Sequence, residues 1–211
     1  IQKIFLMIIS KTPLRVSFIG GGTDIPSFYS KNKYGCVISS SIDKYVYVTI
    51  KKQSDIFFEK FRLNYSETEI VNTSKKIKNP IIRETLKFMN IDDHIYISTI
   101  ADIPSSSGLG SSSSFCVGLL NALHLFKGKR VSKNQLAEEA SHIEINILKK
   151  PIGKQDQYAA AFGGFNFFKF KDNNKVEIKK IIISRKNLTI LSNSSCLFWS
   201  GVTRSADKIL E

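Results

Sequence analysis

The stretch Pro104-Ser105-Ser106-Ser107-Gly108-Leu109-Gly110-Ser111-Ser112-Ser113-Ser114 is where residue type and spacing most directly suggest chemistry. Small residues let the backbone N–H groups of a loop approach an anion closely. A helix beginning where the loop ends adds the partial positive charge of its N-terminus. Composition alone favours a flexible Gly/Ser linker. A linker, however, does not belong between a good strand and the apolar run Phe115 to Phe126. Strand, small-residue loop and buried helix together point to a phosphate cradle. It is not a P-loop, because the string GxxxxGK[ST] is absent.

The elements that must position this loop are readable from periodicity. Ile8 to Ile19 reads as extended chain around Pro13, closing on Gly20-Gly21-Gly22. Ile42 to Ile50 alternates, with Ile42, Val46, Val48 and Ile50 on one face and Tyr45, Tyr47 and Thr49 on the other, which predicts a half-buried strand. Residues 51–78 predict a hairpin or a surface loop. Asn79-Pro80 is a helix start, followed by Ile82, Leu86 and Met89 on one helical face. Ile95, Ile97 and Thr99 form the strand entering the loop. Ser132 with Gln135 three residues on is a capping-box pattern. It predicts a helix through Leu136, Ala140, Ile143 and Ile147 that ends at Pro151. Gln155 to Phe162 reads as a short helix closed by Gly163-Gly164. Phe165 to Leu191 reads as strand-like, and Cys196 to Gly201 as a strand entering a helix over Ser205 to Leu210.

The bulk properties narrow the class. An apolar fraction of 42% in 211 residues supports a sizeable core and excludes a disordered chain. The net charge of +13 admits a nucleic-acid binder, a membrane-surface protein or an enzyme that handles anions. The basic residues are spread along the chain, and none of their short runs interleaves with aromatics as base stacking would require. Solvated surface with a preference for phosphate-bearing ligands is the reading adopted, with no nucleic acid expected. Cys36, Cys116 and Cys196 are odd in number and form no CxxC pair, which suggests neither a disulfide framework nor a zinc site and fits a cytoplasmic location. The longest apolar run, Phe115 to Phe126, is shorter than the roughly 20 residues a membrane helix needs, so no membrane partner is expected.

Pro104 to Ser112 also resembles the second motif of the GHMP kinases, the group named for galactokinase, homoserine kinase, mevalonate kinase and phosphomevalonate kinase. The resemblance implies that Pro104, Ser105, Ser106, Ser107, Gly108, Leu109, Gly110, Ser111 and Ser112 wrap the phosphates of ATP. It also implies that a loop serine, Ser111 or Ser112, helps to hold Mg²⁺. Gly153-Lys154-Gln155-Asp156-Gln157 is similar to the family segment that carries the catalytic aspartate, which makes Asp156 the candidate base. Glu144 precedes it at a separation similar to that of the family's Mg²⁺-binding glutamate. Either carboxylate taken singly reads as a surface charge. Lys11 to Gly20 resembles the first motif and places Arg15 near the transferring phosphoryl, where a cation favours the ionised base and stabilises developing charge.

The form Thr12-Pro13-Leu14-Arg15-Val16-Ser17-Phe18-Ile19-Gly20-Gly21-Gly22-Thr23-Asp24 resembles the subgroup of D-glycero-D-manno-heptose 7-phosphate kinases and L-fucokinases. Galactokinases have Gly-Glu-His-Thr-Asp where this chain has Gly20 to Asp24, and the Glu-His pair is missing. The subgroup implies transfer from ATP to the anomeric hydroxyl of a heptose 7-phosphate, with L-fucose as the alternative. Asp24, Gly21 and Gly22 would then line the sugar, and Lys154 or Arg204 would hold its phosphate. The implied fold is α+β, an amino-terminal domain of the ribosomal-S5 second-domain type. That fold type also serves RNA-binding modules, which keeps a basic RNA binder as the competing class. Residues 7–190 are expected to form this domain, 191–211 to begin a carboxy-terminal one, and 1–6 to be an extension. The family's further glycine-rich motif is not in these 211 residues, so weak or absent turnover is expected of the chain alone.

Overall fold

The computed structural model describes residues 7–54, 56–198 and 201. Two long antiparallel strands, β1 (Ile8–Ile19) and β2 (Tyr34–Lys52), form its spine and are joined by the short helix α1 (Pro26–Asn32). On β1 the side chains of Ile8, Ser10, Thr12 and Leu14 alternate inward. Pro13 has no N–H for a ladder, and the register shifts between it and Arg15. The strand tolerates this because it pairs with β2 alone among the described residues. The predicted strand Ile42 to Ile50 is the carboxy-terminal half of β2, with Val46, Val48 and Ile50 at most 2% exposed.

The expected hairpin within residues 51–78 is β3 (Phe61–Asn64) with β4 (Thr68–Val71). The helix α2 (Pro80–Phe88) follows, its N-terminus capped by the Asn79 side chain, which accepts from the Ile82 N–H at 3.1 Å. The strand β5 (Ile95–Ala101) runs parallel to β3 and antiparallel to the carboxy-terminal half of β2. The amino-terminal half of β2 pairs with β6 (Phe165–Lys171), and β7 (Val176–Lys180) completes the sheet order β4-β3-β5-β2-β6-β7.

Two helices pack on this sheet and carry the site, α3 (Ser111–Phe126) and α5 (Gln155–Phe162), and α4 (Lys133–Ser141) packs against both of them. The helix α3 lies against β1 and β2, and its Leu119, Leu120 and Leu123 are completely buried. A leucine removed from such a place costs about 2–5 kcal/mol, so the helix is held firmly enough to fix the loop in front of it.

Three expectations are corrected. The helix predicted from Ser132 to Pro151 is α-helical only to Ser141, then passes into a π turn over His142–Ile147. The extra residue per turn rotates the apolar sequence: Ile147 is 36% exposed, while Glu144 is fully buried. The strand-like stretch Phe165 to Leu191 also ends early, at Lys180, and α6 (Arg185–Asn193) follows. Its cap is the Ser184 hydroxyl, accepting from the Asn187 N–H, a signal masked by the β-branched Thr189 and Ile190. Cys196 to Phe198 has no regular structure. Arg204 and the helix expected over Ser205 to Leu210 lie outside the described residues, as do residues 1–6.

Candidate active site

The Gly/Ser loop leaves β5 and turns into α3 through a backbone with positive φ at Ser106, Gly108 and Gly110. Such alternating positions let successive N–H groups converge on one point. Gly110 is the N-cap residue of α3, and no side chain caps that end. The first-turn N–H groups are thus left to an outside acceptor. Gly110 has a φ of 77°, which strains any other residue, and a β-carbon there would stand 3.3 Å from the Arg15 side chain and 3.4 Å from Asp156 Oδ2, a tight fit between loop and acid.

Arg15 ties the loop to that acid. Its Nε donates to Asp156 Oδ1 at 2.7 Å, and its Nη2 lies 2.6 Å from the same oxygen. Its Nη1 donates to the Gly108 carbonyl at 2.8 Å, and its backbone N–H to the Leu109 carbonyl at 3.1 Å. Asp156 Oδ2 has no hydrogen bond among the described residues and faces the loop. The side chains of Arg15 and Asp156 are 13% and 23% exposed, so the pair is shielded yet open on one side. One oxygen of the acid is fixed and the other is available.

Glu144, turned inward by the π turn, lies beneath the first turn of α3. Its Oε1 accepts from Ser112 Oγ at 2.7 Å and from Lys150 Nζ at 2.9 Å. Its Oε2 accepts from Ser113 Oγ at 2.6 Å and from Gln157 Nε2 at 2.7 Å. Of the two serines left open by the sequence, Ser112 stands beside this carboxylate. Both Ser111 and Ser112 line a cavity of about 580 Å³ bounded by β2, β5 and the loop, with Tyr65, Asn79, Ile81 and Phe115 among its walls. A hydroxyl with a carboxylate is a donor set that suits a hard cation such as Mg²⁺. That ion takes few protein ligands and completes its shell with water and phosphate oxygens.

The remaining candidates divide. Gly21 is close to α5, since a β-carbon there would meet Gln155 Nε2 at 3.9 Å, and Gly22 donates its N–H to Asp24 Oδ1 at 3.2 Å. Asp24 itself is buried, at 1% exposed. Its carboxylate accepts from the Gln155 backbone N–H at 2.9 Å and from Gln155 Nε2 at 3.3 Å, pinning the start of α5. Burial, with Asp156 nearby, raises its pKa above the ordinary carboxylate value. A β-carbon on Gly153 would come within 1.9 Å of Asp24 Oδ2, which explains the glycine ahead of the acid-bearing turn. Lys154 turns to the β6–β7 connection, its Nζ 3.4 Å from Asn174 Oδ1, and burial lowers its pKa.

Sequence reasoning missed Lys150, Ser113 and Gln157 around Glu144, because nothing in the one-dimensional pattern announced the π turn. It also missed Glu69. That carboxylate accepts from Tyr65 Oη at 2.6 Å and from the N–H groups of Lys78 and Asn79, and so sets two walls of the cavity.

Comparison with known proteins fits this geometry. Residues 72–164 match the N-terminal domain of the GHMP kinases. The D-glycero-alpha-D-manno-heptose 7-phosphate kinase of Campylobacter jejuni is 34% identical, over 96% of this chain and 62% of its own length. The galactokinase of Pyrococcus furiosus is 27% identical, over 92% of this chain and 53% of its own. Among solved structures, a D-glycero-D-manno-heptose 1-phosphate kinase from Bacteroides thetaiotaomicron superposes with a TM-score of 0.76 at 27% identity, over 86% of this chain and 61% of that one. The chain therefore spans roughly half to three-fifths of the length of these relatives.

Proposed function

We propose that this chain, whose residues 72–164 match the N-terminal domain of the GHMP kinases, is the phosphate-handling part of an ATP-dependent sugar kinase. The acceptor proposed is the anomeric hydroxyl of D-glycero-D-manno-heptose 7-phosphate, with L-fucose as the alternative. The observation that carries the reading is Arg15, whose single guanidinium bridges the Gly108 carbonyl of the cradle and the carboxylate of Asp156.

In this reading the loop N–H groups and the open N-terminus of α3 hold the polyphosphate, and the cavity beside Ser111 takes the nucleoside. Ser112 and Glu144 would hold a Mg²⁺ ion, which neutralises phosphate charge when bound. Arg15 keeps Oδ1 of Asp156 occupied and leaves Oδ2 to accept the proton of the attacking hydroxyl. An anomeric hydroxyl is more acidic than an ordinary alcohol, so a carboxylate is a sufficient base. The oxygen then bonds to the γ-phosphorus as the bond to the β-phosphate oxygen breaks. Lys154 is the proposed contact for the 7-phosphate, its partly desolvated ammonium suited to an anion.

The test is ADP release by the full-length gene product with heptose 7-phosphate, L-fucose and galactose in parallel. Preferred use of heptose 7-phosphate, with the new phosphate on the anomeric carbon, is the expected result. Preference for L-fucose would overturn the acceptor assignment, and failure to bind ATP at all would overturn the kinase reading.

A further inference from the structure

Lys150 is a residue to which neither the motifs nor the proposed reaction gives a task. Its ammonium donates to Ser112 Oγ at 2.8 Å and to Glu144 Oε1 at 2.9 Å, bridging the two groups read above as the metal ligands. The fold places it there deliberately in a physical sense. Once the π turn has rotated Glu144 inward, Lys149 takes a positive φ of 56°, and the Lys150 N–H returns to the Glu144 carbonyl at 3.0 Å. This reversal carries the lysine side chain back over the carboxylate from which the chain has just departed.

The surroundings of Glu144 show why a cation is needed. The carboxylate is completely buried, and Ser112, Ser113 and Gln157 offer it only neutral donors. A buried ionised carboxylate without a positive partner is strongly unfavourable. Among the described residues Lys150 is the one cation in contact with it. The two ends of this ion pair differ, however. Glu144 has no exposure, whereas the Lys150 side chain is 21% exposed and enters from the solvent side. The carboxylate cannot leave, but the ammonium on its flexible stem can.

Resting on the reading of Ser112 and Glu144 as the divalent-cation site, we infer that Lys150 is a resident cation which the metal must displace. Lysine and metal compete for the same carboxylate oxygen and the same hydroxyl. The protein therefore keeps Glu144 neutralised when no nucleotide is bound, and the free chain binds divalent ions weakly. Phosphates arriving at the loop favour the exchange, since they offer the departing ammonium an anionic partner and the metal further oxygen ligands. Lys150 thus acts as a positioning residue that sets the metal requirement and couples it to nucleotide.

Direct binding of Mn²⁺ tests this, followed by the electron paramagnetic resonance signal of the free ion, on the wild-type chain and on Lys150→Met, Lys150→Gln, Lys150→Arg and Glu144→Gln. Removing the charge in Lys150→Met or Lys150→Gln should tighten Mn²⁺ about tenfold, while Lys150→Arg stays near wild type and Glu144→Gln abolishes the site. Thermal melting supplies a second readout. Without metal the two neutral variants should melt below wild type, and Mn²⁺ should raise their melting temperature more than it raises that of wild type. Unchanged or weaker Mn²⁺ binding in both neutral variants, with loss in Glu144→Gln, would refute the exchange and leave the metal site standing. Unchanged binding in Glu144→Gln would remove the metal site and the inference together.

Discussion

Arg15 works through shape as well as charge. Two of its nitrogens converge on Asp156 Oδ1 while a third reaches the Gly108 carbonyl, a fork that an ammonium cannot reproduce. Arg15→Lys should therefore keep the fold and the positive charge, yet lower kcat by about 10- to 100-fold, since acid and loop lose their shared brace. Steady-state kinetics with a parallel melting curve checks this, and an unchanged kcat would contradict it. Glu69 provides the corresponding prediction for stability. Its folded-state pKa is lowered, because the Lys78 and Asn79 N–H groups and the Tyr65 hydroxyl outweigh its burial. A lowered folded pKa contributes stability that is complete above the unfolded value, near 4.5, and is lost as pH falls through the folded value. Asp24 has the opposite sign, its raised pKa making the ionised form cost stability as pH climbs from the unfolded to the folded value. Glu69→Gln should thus destabilise the protein at neutral pH by about 1–3 kcal/mol and weaken its acid sensitivity, measured by denaturant melts between neutral and acidic pH.

At the scale of elements, the site depends on two short turns. The π turn over His142–Ile147 delivers Glu144 to α3, and the turn at Gly153 delivers Asp156 to Arg15. The second has almost no room: Gly153→Ala would drive a β-carbon against the Asp24 carboxylate and within 2.9 Å of its backbone carbon. The expected cost is at least about 2 kcal/mol of stability, together with weakened turnover because α5 moves and carries Asp156 with it. A near-wild-type melting temperature would show that the turn yields more easily than its geometry implies.

These elements also mark what a sequence discloses. Alternation around Val48 and the apolar run of α3 are strong local signals, and Asn79-Pro80 and Ser132 are caps with a mechanism; all four appear where they were expected. The capping box is half made, since Gln135 Nε2 donates to Glu139 Oε1 rather than back to the cap. The π turn was not legible, because the apolar positions continued at α-helical spacing past the point where tertiary packing rotated the chain. The burial of Asp24 was hidden as well. The sequence put an acid beside a glycine turn but could not reveal that the Gln155 N–H groups would enclose it.

For the whole molecule, the +13 charge is the property that most invites another reading, and salt separates the two. The proposed phosphate cradle, built from backbone N–H groups and one brace, should bind ATP with a shallow dependence on ionic strength. An RNA surface assembled from many lysines would lose affinity steeply as salt rises. Among the described residues no helix is long and apolar enough to cross a membrane. The whole arrangement converges on Asp156, one oxygen held and one left open. The most direct measurement is Asp156→Asn in the full-length gene product, with ATP affinity and turnover determined on the same preparation. The account predicts that ATP binds within about a factor of three of wild type while kcat falls by roughly 10² to 10⁴. Retained turnover in that variant, with its nucleotide binding intact, would contradict it.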